Sequence, residues 1–219
     1  MREVFQQELH EVRERLVEIA RLVAASIDQA TIAFNDSQVS LAEEVIANDR
    51  HIDELALELD ELAIQILARQ APVAKDLRIV VSALRMSADL ERMGDMSSHI
   101  AQLTRYRFPD KVIPKALRST FREMAEVDVE IANMIVALLE SEDLRLADKI
   151  RDLDDRVDDL HITVFDTVLG EKWKGEATAT VDATLASRYH ERFADHAVSI
   201  AKKVHYLATG DWDPSAASE

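Results

Sequence analysis

Residues 89–101 read Asp89-Leu90-Glu91-Arg92-Met93-Gly94-Asp95-Met96-Ser97-Ser98-His99-Ile100-Ala101. The stretch at 189–201 reads Tyr189-His190-Glu191-Arg192-Phe193-Ala194-Asp195-His196-Ala197-Val198-Ser199-Ile200-Ala201. The acid-Arg-apolar-small-acid core and the Ile-Ala pair recur in register. Around the first copy, Ile79, Ala83, Met86, Leu90, Met93, Ser97 and Ile100 are spaced by fours and threes. Around the second, Ala186, Tyr189, Phe193, Ala197, Ile200, Val204 and Leu207 follow the same rule. That period is the seam of a helix packed knobs-into-holes in a left-handed bundle. The Met and aromatic residues on it read as core filler.

The repeat extends outward. A shift of 105 lays Leu41-Ala42-Glu43 on Leu146-Ala147-Asp148, Asp49 on Asp154, and Ile52-Asp53 on Val157-Asp158. Only four glycines and four prolines punctuate the 219 residues. Pro72, the pair Pro109 and Pro114, and the pair Gly170 and Gly175 mark the turns, because proline and glycine interrupt helices. Six helices are predicted, over 3–34, 38–70, 73–107, 115–139, 143–169 and 180–208, with Ser37 as the cap of the second. Helices longer than 30 residues belong to bundles of antiparallel elements. The expected fold class is therefore all-α, with two homologous antiparallel three-helix bundles over 1–109 and 110–210 and a flexible tail at 211–219. Helix 1 matches helix 4 in apolar phase only. Gly94, matched by Ala194, calls for a close approach by a neighbouring helix or ligand, since glycine costs a helix about 1 kcal/mol relative to alanine.

Composition removes several functions. With 42 Asp+Glu against 26 Lys+Arg the formal charge is −16, the wrong sign for a nucleic-acid binder. There is no cysteine, so thiolate metal sites, disulfides and thiol catalysis are out. No stretch is apolar for the ~18 residues that a transmembrane helix needs. The beginning of the chain lacks a signal-peptide core. A cytoplasmic protein is expected.

The chemistry lies in acid-x-x-x-acid, written four times: Asp49/Asp53, Glu91/Asp95, Asp154/Asp158 and Glu191/Asp195. Acids four apart share a helix face and repel by about 0.2–0.5 kcal/mol per pair. A hard cation, which prefers oxygen ligands, offsets that repulsion. Asp53 and Glu91 are equidistant from Pro72, as are Asp49 and Asp95, so an antiparallel hairpin sets four carboxylates at one height. Asp154, Asp158, Glu191 and Asp195 are likewise centred on the Gly170–Gly175 turn. Helical phase turns these acids away from the core seam, which predicts a surface site. The plain alternative is a solvated acidic face.

Other constellations are thinner. A di-iron oxidase bundle repeats acid-x-x-His on two helices, but only Asp158-x-x-His161 occurs, opposite Asp53-x-x-Ala56. His99 follows Asp95 by one turn as a further candidate ligand. His196 reads as exposed or hydrogen-bonded. Trp173, between Lys172 and Lys174, is either folded back on the bundle end or a partner anchor.

The doubled Glu-Arg-x-small-Asp motif, with Ile-Ala beyond it and Asp-x-x-(Ile/Val)-Asp on the preceding helix, resembles the PhoU family over residues 5–208. The resemblance implies pseudo-twofold symmetry between the halves and multinuclear metal clusters on the eight acids Asp49, Asp53, Glu91, Asp95, Asp154, Asp158, Glu191 and Asp195. The ions would be divalent or trivalent: iron, zinc, manganese, magnesium or nickel. It implies a non-enzymatic, homodimeric regulator that restrains phosphate uptake and the phosphate-starvation response through the phosphate transporter ATP-binding subunit and a phosphate-sensing histidine kinase. This chain has Ser98-His99 and Val198-Ser199 where family members often carry Asn, so its outer ligands differ. A metal-storage or di-metal oxidase bundle, and a structural dimerising bundle, are the competing functions. Missing nucleophiles weigh against the first of these and the repeated like-charge pairs against the second.

Overall fold

The computed structural model describes residues 2–211. Six helices make it up: α1 Arg2–Asp36, α2 Val39–Gln70, α3 Ala74–Arg107, α4 Arg118–Ser141, α5 Leu144–Leu169 and α6 Ala177–Thr209. A 3-10 turn, Lys115–Leu117, leads into α4. No strand occurs among the described residues. Among the described residues no helix is long and apolar enough to cross a membrane. The predicted fold of six long helices in two three-helix sets is what forms.

Every helix boundary falls within three residues of expectation, and the differences have local causes. The first turn of the fourth predicted helix is the 3-10 segment, following Pro114. Ser37 does not cap α2. It takes φ 58 between the two helices, and the residue at the cap position is Gln38, without a side-chain bond to the helix. Serine caps from an extended backbone, so the left-handed turn at Ser37 turns its hydroxyl away. The expected tail at 211–219 lies, beyond Asp211, outside the described residues.

α1, α3, α4 and α6 pack together in the middle, with α2 on α1 and α3 and α5 on α4 and α6. The buried apolar residues of all six helices form one cluster, so the halves share a core. The α3 seam is buried throughout, whereas Tyr189 and Leu207 of the α6 seam are half-buried. α3 and α6, which carry the two copies of the motif, run antiparallel across the junction. Arg107 grips the nearly buried Asp182 through two bonds of 2.5 and 2.9 Å. Asp89 accepts from Lys203 at 2.7 Å and pairs with His196 at 3.1 Å. Burial pushes the Asp89 carboxyl up, but His196 and Lys203 outweigh it and hold it below the usual range. These pairs fix the register of one half on the other, because a charge buried without its partner is costly.

Trp173 folds back on the bundle end. Its indole Nε1 donates to Thr180 at 2.8 Å, and its ring overlaps the place a Cβ on Gly175 would take. Gly175→Ala is therefore expected to expel the ring. In a Trp212→Phe background the remaining indole emission should shift to the red; unchanged emission would refute the contact.

Candidate metal centre

The carboxylates owe their place to the hairpins. Ile52 and Asp49 of α2 lie close enough to α3 that a Cβ on Gly94 would stand 3.2 Å from Ile52 Cδ1 and 3.3 Å from Asp49 Oδ1. The glycine is thus explained by a neighbouring helix. That approach half-buries Asp49 and Asp95, while Asp53 stays exposed. Asp49, Asp53 and Asp95 each offer an oxygen within 4.8 Å of the other two. Among the described residues no other three acids or histidines meet so closely.

Glu91 sits beside this trio, partly buried, and its pKa is raised by burial and then by Asp95, Asp53 and Asp49. Arg92 holds Asp95 at 2.8 Å and Glu91 at 3.4 Å. Asp49 Oδ1 is buried with no hydrogen-bond partner. Desolvation drives the Asp49 carboxyl up to about 6, with Asp53 and Asp95 adding to it and the Ser98 hydroxyl opposing. Asp53 is also raised, first by burial and then by Asp95.

The second half repeats the raised pKa values but not the close trio. Asp154 is pushed up to about 7 by burial and then by Asp158, Asp195, Asp155 and Glu191. Asp158 and Glu191 are raised by burial and by Asp195. Glu191 is 14% exposed, its Oε2 has no partner, and Arg188 holds its other oxygen. The expected surface site is thus partly covered: Asp49, Glu91 and Asp95 are half-buried in the first half, and in the second Asp154 and Glu191 are half-buried while Asp158 and Asp195 are exposed. Helical phase was right about direction, but it cannot register how closely the hairpin partner covers the inner acid of each pair.

Each half brings together four acids, with too few cations to neutralise them and buried oxygens left unpaired. Such a donor set suits a hard, multiply charged cation. It also reverses the usual pH behaviour of an acid. A carboxyl whose folded pKa is raised contributes stability that is present below its unfolded value of 3.8 and is lost as pH climbs through about 6 for Asp49 and about 7 for Asp154. Metal-free protein should thus melt at lower temperature as pH rises from about 4 to about 7, and Asp154→Asn should flatten the upper part of that profile. A melting temperature that climbs over this interval would contradict the arrangement.

His99 does not join the converging trio, though its Nδ1 is buried without a hydrogen-bond partner. Its ring lies 5.0 Å from that of Tyr189 across the α3–α6 junction. His161 is occupied, with Nδ1 3.0 Å from Ser187 Oγ and its ring edge-on to Phe165. His190 and Asp128 form a pair that the sequence reading missed. Both are fully buried, with Nδ1 2.6 Å from Oδ2 and the rings of Phe34 and Phe121 alongside. Burial pushes the Asp128 carboxyl up against the pull of His190. One signal was available: both residues occupy core phases of otherwise apolar stripes.

A family profile described as the PhoU domain matches residues 16–104 and again 121–204. The chain is 41% identical over 210 residues to the phosphate-specific transport system accessory protein PhoU homolog 2 of Mycobacterium tuberculosis, covering 96% of this chain and 99% of that protein. It is 39% identical to the PhoU homolog 1 of Mycobacterium leprae, covering 97% and 96%. The crystal structure of PhoU from Pseudomonas aeruginosa superposes with a TM-score of 0.86 at 27% identity, over 94% of this chain and all of that one.

Proposed function

The chain belongs to the PhoU family, and on that premise we propose that it is a phosphate transport accessory protein and a negative regulator of high-affinity phosphate uptake and of the phosphate-starvation response. It acts in the cytoplasm, as a homodimer, by binding the phosphate transporter ATP-binding subunit and the phosphate-sensing histidine kinase. It turns over no substrate. The observation that carries this is the similarity, over nearly the full length of both chains, to proteins named for accessory roles in phosphate-specific transport.

Metal ions belong to the proposal. Asp49, Asp53, Glu91 and Asp95 hold one group of cations and Asp154, Asp158, Glu191 and Asp195 the other. Unpaired buried oxygens on Asp49 and Glu191 support ligation, because a buried acceptor left without a donor is costly. The metal neutralises each acidic patch, so occupancy changes the charge that a partner meets. Since Asp49 and Asp154 keep their protons up to about 6 and 7, metal affinity should weaken below neutrality and not only near pH 4, as free carboxylates would.

The decisive experiment is genetic. Deleting the gene should release phosphate-starvation genes in phosphate-rich medium, and restoring the intact chain should silence them. A deletion strain with normal phosphate control, and no second copy of the gene to compensate, would reject regulation.

A further inference from the structure

The α5–α6 hairpin carries apolar side chains where solvent would be expected. Ile162 is 57% exposed, Phe165 37% and Leu169 80%. At spacings of three and four they form one stripe along α5. Val181 and Leu185 of α6, 55% and 39% exposed, follow the Gly170–Gly175 turn and lie level with Leu169 and Phe165 in the hairpin. His161, which touches the Phe165 ring and bonds Ser187 of α6, ties Phe165 to the groove between the two helices. Asp158 lies one turn from Ile162 on the same side, so the apolar patch runs directly into the carboxylates.

The surroundings of the patch select its occupant. Apart from the proposed metal ligands Asp154 and Asp158, four exposed aspartates, Asp152, Asp155, Asp159 and Asp166, stand along α5 against Arg156, which is engaged with Glu123 of α4; Lys172 and Lys174 lie beyond, in the turn. A bilayer with anionic headgroups is repelled by such a face. A basic amphipathic helix is attracted to it, setting its apolar side along the α5–α6 groove and its lysines and arginines over the flanking aspartates. The first half shows a lesser version: Leu57 and Ile64, the repeat equivalents of Ile162 and Leu169, are exposed, but Asp60 replaces Phe165.

We propose that the outer face of the α5–α6 hairpin, between its turn and the Asp158/Glu191 carboxylates, is the docking site for a basic amphipathic helix of a partner protein. This rests on the reading of the chain as one that acts by binding, and it names the surface and the chemistry it accepts.

The probe is a synthetic amphipathic peptide of leucine and lysine with a fluorescent label, titrated into the full chain and followed by anisotropy. A peptide of equal charge with its leucines changed to serine is the control. The double variant Phe165→Ser/Leu169→Ser should weaken binding of the leucine peptide about tenfold or more, as loss of an anchor pair does. Leu57→Ser/Ile64→Ser should leave it nearly unchanged, and the serine peptide should bind weakly to all three proteins. Circular dichroism and melting temperature establish that the variants fold, since only exposed side chains are altered. Equal binding of both peptides, or undiminished binding by the Phe165/Leu169 variant, overturns the proposal. So does a dimer, seen by sedimentation, that only the Phe165/Leu169 variant dissociates, because the face then belongs to a second copy. If the face fails these tests while a deletion strain still loses phosphate control, only the docking assignment falls and regulation stands.

Discussion

Replacing Asp49, Asp53 and Asp95 by asparagine and Glu91 by glutamine is expected to abolish metal binding in the first half and to leave the second half loaded. The motivation is the convergence of these carboxylates, three of which bring oxygens within 4.8 Å of one another. Like charges held that close repel, and water screens them poorly where Asp49 is half-buried. Neutral amides remove both the repulsion and the ligands, so the metal-free variant should be no less stable than the parent, and more stable above about pH 6, where Asp49 would otherwise ionise. Elemental analysis after loading should show the bound metal falling by the share of one half. The metal-induced rise in melting temperature should shrink with it, since a ligand stabilises only the state it binds. Unchanged stoichiometry would remove these residues from the site. Loss from both halves together would show that the clusters are not independent.

The second large effect lies in the core. His190→Leu leaves the fully buried Asp128 carboxyl without its partner, which is expected to cost about 3–5 kcal/mol. In a chain of this size that lowers the melting temperature by roughly 10 °C. The double variant Asp128→Val/His190→Leu should recover most or all of the loss, because replacing a buried pair by packed apolar groups is often neutral or stabilising by about 1–4 kcal/mol. The first half supplies the template. A shift of 105 sets Val23 against Asp128, and a shift of 100 sets Leu90 against His190; both apolar residues are buried. Thermal melts of the single and double variants check this. If the single variant melts with the parent, or the double variant is the less stable of the two, the pair is not what organises that part of the core.

Much of the molecule was legible in the residues themselves. Helix periodicity, the sparse glycines and prolines and the internal repeat determined six long helices in two related sets. They determined too that the eight carboxylates group by height, because rise per residue and hairpin turns are local, periodic properties of the chain. What the sequence alone could not supply depends on how helices distant in the chain meet. The α2–α3 contact at Gly94 decided that Asp49 is half-buried and titrates near 6 in place of an ordinary carboxyl value. The α3–α6 crossing decided that His99 stacks on Tyr189, that Asp89 takes Lys203 and His196, and that Arg107 closes on Asp182. Periodicity assigns a side chain to a face of its own helix but says nothing of which groups the opposing face presents. Desolvation and charge pairing are set by those groups, so they exist only once the helices have packed.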